Sequence, residues 1–169
     1  PDVGSVSLIT FPGKTAAKFP DLAKASDADL LRHIVSDSAV CRINTQREIL
    51  KHSAGGHIDG LAGLAADKSI HLHGRIAALF TLKQLAGESV NKTIARLTLD
   101  ETICEWAFRA LADRKSQTGG VNPALFVKAL RDKNPRVRLQ AVIGLARLGQ
   151  ARKSLLKMAA APVDNSPKN

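Results

Sequence analysis

The sequence is poor in the residues on which disulfide-rich and aromatic-rich domains depend. It has two cysteines, one tryptophan and no tyrosine among its 169 residues. Two cysteines are too few for a disulfide framework or for a cysteine-rich zinc site. The shortage of aromatic residues argues against a β-sandwich, whose strands favour aromatic and β-branched side chains. Hydrophobic residues still make up 44% of the chain, so a single domain of this length can bury a core.

Several functional signatures are also absent. No apolar run approaches the length of about 18 residues that a transmembrane helix needs. There is no Cys-x-x-Cys-His motif for haem attachment, no His-Glu-x-x-His motif and no phosphate-binding Gly-Lys-Ser/Thr loop. The sequence therefore predicts no membrane span, no metal site, no cofactor and no catalytic machinery in this chain.

Charge is unevenly distributed along the chain. The net charge is +10, and residues 1–113 hold equal numbers of acidic and basic residues, so all of the excess lies in residues 114–169. A positive surface of this kind suits an acidic protein partner or a polyanion, although many charged stretches are simply solvated faces. The residues that we predict to bind such a partner are Lys128, Arg131, Arg136, Arg147, Arg152, Lys153 and Lys157.

Short amphipathic helical patterns occupy most of the chain and occur in pairs. Ser26 with Asp29 resembles a capping box, and Asn122-Pro123 and Asn134-Pro135 each supply an N-cap followed by a proline, so these residues predict three helix starts. Residues 1–25 lack a helical period and are punctuated by glycine and proline, which predicts a linker or an extended arm. Residues 26–161 carry the helical pairs, and residues 162–169 are typical of a disordered tail or a second linker. Together with the start at Pro1, the two linkers predict a module from a longer protein.

One pattern recurs along the second helix of each pair. Arg42, Arg75, Cys104 and Arg138 are equivalent positions, separated by 33, 29 and 34 residues. A small residue follows three positions after each of them, and a large apolar residue follows four positions further on. A period of this length is the signature of a helical repeat, in which stacked pairs share a continuous core.

The last copy of the pattern contains Asp132 and Pro135 in the turn, Val137-Arg138 at the start of the second helix, and Ala141 after them. With these residues it resembles the HEAT-repeat family, because they are close to the family consensus. The resemblance implies an all-α fold, a right-handed α-solenoid of about four helical pairs with a final half-pair at 150–161. It also implies that the repeated arginine pairs with a loop aspartate in a structural ladder. The predicted members of this ladder are Arg42, with Asp37 as its partner, Arg75, and Arg138, with Asp132 as its partner.

A second set of residues comprises Phe19-Pro20-Asp21-Leu22, residues 27–31 and residues 41–50. This stretch resembles a section of large planctomycete-type secreted proteins. Those proteins join a propeller of the sorbosone-dehydrogenase type, a HEAT-repeat section and a c-type haem domain. The resemblance implies that this chain is the helical connector of a periplasmic or exported, oxidoreductase-like parent protein.

These observations predict a non-catalytic scaffold, either a protein-interaction module or a connector between domains. The alternative is a nucleic-acid-binding HEAT module that uses the basic C-terminal third. A third reading is a HEAT-fold DNA glycosylase, for which Trp106 would hold a nucleotide and Glu105 or Asp113 would supply the acid. We expect Cys41 and Cys104 to be buried thiols rather than reactive ones.

Overall fold

The computed structural model describes Gly13, residues 18–52 and residues 56–150. In these ranges the chain forms eight α-helices and no strand, which confirms the all-α prediction. The helices are α1 (Asp27–His33), α2 (Ala39–His52), α3 (Ile58–Ala66), α4 (Leu72–Ala86), α5 (Asn91–Leu97), α6 (Cys104–Leu111), α7 (Pro123–Ala129) and α8 (Pro135–Arg147). Short 3₁₀ turns lie at Leu22–Lys24 and Lys115–Gln117.

The helices pack as four consecutive pairs. Helix α1 packs on α2, α3 on α4, α5 on α6, and α7 on α8. The second helices α2, α4, α6 and α8 also pack on one another in that order, so they form one continuous layer. Packing between neighbouring pairs is the arrangement of a helical solenoid, and it agrees with the predicted repeat architecture.

The repeat register predicted from the sequence is confirmed by burial. The four small residues are fully buried, and so are the four large apolar residues beyond them. The small positions are Thr45, Ala78, Ala107 and Ala141, and the large positions are Ile49, Leu82, Leu111 and Leu145. Small side chains let neighbouring helices approach, while the large ones fill the space between helices and bury apolar area.

Local signals begin three of the helices as the sequence predicts. Ser26 forms a capping box with Asp29, in which each side chain binds the other residue's backbone N–H. The side-chain oxygens of Asn122 and Asn134 accept hydrogen bonds from the backbone N–H groups of the first turns of α7 and α8. Each asparagine is followed by a proline at the first helical position, whose fixed backbone angle suits a helix start.

The predicted arm is docked at its C-terminal end. Leu22 is buried, and its 3₁₀ turn contacts α2. The predicted half-pair after Gln150, the tail at 162–169 and the rest of the arm other than Gly13 and residues 18–25 lie outside the described residues. So do Arg152, Lys153 and Lys157, three of the seven basic residues predicted to bind a partner.

Candidate functional site

A groove runs across the beginnings of the four second helices. Its volume is about 590 Å³, and each of the four pairs contributes to its wall. The lining includes Ile43 from α2, Leu72 and Ile76 from α4, Trp106 from α6 and Arg136 from α8. The groove therefore depends on the stacking of all four pairs and belongs to no single repeat.

Apolar side chains in this groove are open to solvent. Ile43 is 51% exposed and Leu72 is 40% exposed, although both are large aliphatic residues. Val40, one turn before Ile43 on α2, is exposed as well. Single exposed apolar residues are ordinary, but a cluster of them around a cavity is typical of a surface that binds another molecule.

The acidic residues of the groove already have cationic neighbours. Glu101 lies 2.9 Å from the Nζ atom of Lys133, and Glu105 lies 4.0 Å from a guanidinium nitrogen of Arg136. Both pairs join the third helical pair to the fourth. They therefore neutralise the acidic side chains of the groove and leave no excess of negative charge there.

An aromatic pair continues the groove along the second helices. The ring of Trp106 meets the ring of Phe80 edge to face, with their centroids 6.4 Å apart. The guanidinium carbon of Arg109 lies 5.7 Å from each ring centroid. Phe80, Trp106 and Arg109 are called the aromatic shelf below. Trp106 lines the groove as well, so the shelf and the groove are continuous.

The repeated arginines bind backbone carbonyl oxygens in the first and last pairs. Arg42 donates to the carbonyl oxygens of Ser36 and Asp37, six and five residues before it. Arg138 donates to the carbonyl oxygens of Asp132 and Lys133 at the same two spacings. The predicted partners are thus contacted through the backbone, and the expected pairing with their carboxylates is not what the structure shows. In both pairs, the turn before the second helix ends close to the arginine. The free carbonyl oxygens of that turn lie closer to the guanidinium group than the aspartate carboxylates do.

Arg75 behaves differently, because it connects two helical pairs. It is 2% exposed, and its Nε atom donates to the carbonyl oxygen of Ala65 at 2.9 Å. Its two terminal nitrogens donate to Thr102 Oγ1 and to Asp100 Oδ2, both at 2.7 Å. Burial alone would raise the pKa of Asp100, but the hydrogen bonds from Arg75 and Thr102 outweigh it and lower that pKa to about 2. Of the repeated arginines, Arg75 is thus the one that pairs with a carboxylate, and the carboxylate belongs to the next pair.

The lowered pKa of Asp100 predicts a specific dependence of stability on pH. A carboxyl group whose pKa is lower in the folded protein than in the unfolded chain stabilises the fold above its unfolded pKa. That stabilisation decreases as the pH falls from about 4, where unfolded aspartate titrates, toward the folded pKa of about 2. We expect the difference in unfolding free energy between wild type and Asp100→Asn to be constant above about pH 5 and to shrink between about pH 4 and 2.5. Urea titrations at each pH measure this difference, and a difference independent of pH would contradict it.

The described members of the predicted basic set lie in different places. Arg136 is at the start of α8 in the groove, whereas Arg147 is at its other end, about 16 Å further along the helix. Arg147 donates to the carbonyl oxygens of Ala112 and Asp113, which directly follow α6. Lys128 and Arg131 are exposed on the α7 side, and the described residues place no carboxylate within 4.0 Å of them. Arg136 and Arg147 therefore have intramolecular partners. Binding of an acidic partner by the predicted basic set stays a prediction.

Lys83 is a buried cation that the sequence analysis did not single out. It is 2% exposed, and its Nζ atom donates to Asn91 Oδ1 at 2.6 Å and to the carbonyl oxygen of Gln117 at 3.0 Å. Asn91 in turn donates to the carbonyl oxygens of Gln117 and Gly119. Burial lowers the pKa of Lys83, while the charges of Asp113 and Glu88 oppose that shift. The lysine thus fastens the loop before α7 to helices α4 and α5.

Most of the other side chains that could take part in a reaction are enclosed by the fold. Cys41 and Cys104 are free and buried, and burial raises the pKa of the Cys104 thiol. Glu105 lies beside Trp106 in the groove, whereas Asp113 follows the end of α6.

In the part of the chain that the structure describes, no group of three or more His, Cys, Asp or Glu side chains could hold a metal ion. No helix there has the length and apolar character needed to span a membrane.

The last helical pair is the part of the chain that matches a protein-family model. Residues 123–151 match the HEAT-repeat family model. The match begins at the first residue of α7 and runs just past α8, so it covers one complete helical pair. It confirms the HEAT resemblance of this pair, and a HEAT repeat is a helical scaffold element that is generally non-catalytic and typically mediates protein interactions. No curated protein and no solved structure gives a significant match to the chain, and the resemblance to planctomycete-type secreted proteins gains no support.

The aromatic shelf was only half visible in the sequence. Trp106 and Arg109 are three residues apart on one helix, a spacing that places them on the same face. Phe80 comes from the preceding pair, and no local pattern connects it to Trp106. Phe108, two residues after Trp106, packs instead against Phe126 in the core, with ring centroids 5.2 Å apart.

Proposed function

We propose that this chain is a non-catalytic protein-interaction module whose groove binds a peptide segment of a partner protein. The observation that carries the proposal is the group of solvent-open apolar side chains around a cavity built by all four second helices. Solenoids present extended surfaces of this kind, because stacked repeats place equivalent faces side by side. The matching HEAT repeat supports an interaction role for such a surface.

The groove has the dimensions and chemistry of a site for a few side chains. A volume of about 590 Å³ lies within the usual range for binding pockets, which is roughly 300–1,000 Å³. Ile43, Leu72, Ile76 and Trp106 offer an apolar floor for a large hydrophobic anchor. Polar groups such as His73, Thr102 and Asn134 also line it and can orient a peptide backbone through hydrogen bonds. We expect the bound segment to insert one large apolar side chain.

The partner can be a separate protein or another domain of the same polypeptide. The predicted connector role in a haem-containing, oxidoreductase-like parent protein rests on the short sequence resemblance alone. The nucleic-acid alternative rests on the basic residues, and the structure gives it little support. Four described cations of the C-terminal third, Lys133, Arg136, Arg138 and Arg147, contact groups of this chain.

The proposal predicts that one substitution in the groove strongly weakens peptide binding. We expect 12-residue peptides without tryptophan, selected from a random library on the immobilised protein, to change the fluorescence of Trp106. Since Trp106 is the only tryptophan and lines the groove, its emission reports on the groove directly. Ile43→Glu should weaken binding at least about tenfold, because it places a charge where an apolar anchor must bury.

Val127→Glu is the matched control, because Val127 is 46% exposed on α7 and does not line the groove. It should change peptide affinity less than about twofold, in the range typical of substitutions away from a binding hot spot. Circular dichroism and thermal melting should show both variants folded. Equal losses for the two variants, or a library that yields no peptide affecting Trp106, would contradict the proposed function.

A further inference from the structure

Arg109 is held in place on the aromatic shelf. Its guanidinium carbon lies 5.7 Å from the centroids of both Trp106 and Phe80, the distance of a cation–π contact. Two rings from two neighbouring helical pairs therefore restrict one long, flexible side chain. A side chain that is ordered before binding loses less conformational entropy when it binds a ligand.

The hydrogen-bond donors of Arg109 have no acceptor within the described residues. Arg42, Arg75, Arg138 and Arg147 all donate to carbonyl oxygens of this chain. For Arg109, the structure records neither a hydrogen bond within 3.5 Å nor a carboxylate within 4.0 Å over the same ranges. The contacts recorded for Arg109 are with aromatic rings, and the planar fork of N–H donors in a guanidinium matches the two oxygens of a carboxylate.

The position of Arg109 suits a second contact for a peptide anchored in the groove. Trp106 belongs to both the groove and the shelf, and Arg109 follows it by three residues, which is about 4.5 Å along the helix axis. An extended peptide advances about 3.3 Å per residue. A side chain one or two residues from the apolar anchor would therefore reach the guanidinium.

Charge complementarity favours an acidic side chain at that place. The acidic residues of the groove, Glu101 and Glu105, already have Lys133 and Arg136 as neighbours. Within the described residues, no carboxylate lies within 4.0 Å of Arg109, on a chain whose net charge is +10. A peptide carboxylate would gain a charge-assisted, two-pronged hydrogen bond, whereas a peptide lysine would be repelled.

We infer that Arg109 binds the carboxylate of an aspartate or glutamate one or two residues from the apolar anchor of the bound peptide. This inference rests on the proposed function, because it requires a peptide in the groove. It defines the partner as an acidic segment with one large apolar residue. The sequence predicted that basic residues of the C-terminal third bind an acidic partner. The inference places the contact with an acidic partner at Arg109 on α6 instead.

The experiment compares matched peptides and matched variants. Peptides selected on the wild-type protein are labelled and amidated at their C-termini. Fluorescence anisotropy measures their affinity and that of matched versions in which each Asp or Glu becomes Asn or Gln. We expect wild type to prefer the acidic versions by about tenfold and Arg109→Gln to lose that preference. Arg109→Lys should lose most of it, because lysine keeps the charge but lacks the planar fork. Arg96→Gln removes the same charge from an exposed position on α5, away from the groove, and should keep the preference.

Three results would overturn the inference. The first is an unchanged preference in Arg109→Gln, and the second is an equal loss in Arg96→Gln, which would indicate general electrostatic attraction. The third is displacement of the peptide by a single-stranded oligonucleotide in 150 mM salt with the same dependence on Arg109. Peptides whose binding depends on Ile43 and not on Arg109 would refute this inference alone, whereas the absence of any groove-dependent peptide would refute the proposed function.

Discussion

Replacing Arg75 by alanine is expected to lower the free energy of unfolding by about 3–5 kcal/mol. The substitution leaves the carboxylate of Asp100 without its guanidinium partner, and its side chain is only 12% exposed. It also removes the donor to the carbonyl oxygen of Ala65 and the contact with Thr102. Breaking a buried ion pair by removing one partner is costly, because the remaining charge loses its closest compensation while it stays shielded from water. Lys68, whose exposed ammonium group lies 3.8 Å from Asp100 Oδ1, replaces only part of it.

Arg42→Ala and Arg138→Ala are matched controls at the equivalent position of other helical pairs. Each arginine donates one terminal nitrogen to two carbonyl oxygens of the preceding turn, where water can replace it. Each should therefore cost only about 0.5–1.5 kcal/mol, the usual net contribution of a hydrogen bond. Urea unfolding followed by circular dichroism at 222 nm measures all three variants. Equal losses would show that Arg75 has no special role between pairs.

Gly144→Ala is expected to destabilise the protein by about 1–3 kcal/mol, although alanine favours helices more than glycine does. A Cβ atom at position 144 would overlap the ring carbon atoms of Phe126. That ring is fully buried and packs against Phe108, so it cannot move aside without disturbing the core. Overpacking should exceed the gain in helix propensity, because the contact is the point where α7 approaches α8.

The matched control is Gly63→Ala, on the exposed side of α3, where a Cβ atom meets nothing within 4 Å. This variant should be more stable than wild type by about 0.5–1 kcal/mol, since only the propensity and chain-entropy terms remain. Thermal melts of the two variants should therefore shift in opposite directions. Adding Phe126→Leu to Gly144→Ala should recover part of the loss if the ring is the obstacle. A stabilised Gly144→Ala variant would refute the close approach of the two helices.

The sequence alone determined the repeat and its register. Small and large apolar residues at constant offsets from Arg42, Arg75, Cys104 and Arg138 predicted which side chains face the core, and burial confirms all eight. Ser26, Asn122 and Asn134 likewise predicted three helix starts. Such features depend on neighbours within one or two helical turns, so the local sequence contains the whole interaction.

Only the tertiary structure decided what the repeated and charged residues contact. Arg42 and Arg75 occupy equivalent positions, yet one caps its own turn while the other reaches Asp100 in the next pair. Phe80 meets Trp106 for the same reason: the stacking of two pairs brings together residues that are 26 positions apart. The groove itself needs four helices in register. Side chains at equal sequence positions meet different neighbours when turns differ in length and direction, and those differences become contacts only after the pairs have stacked.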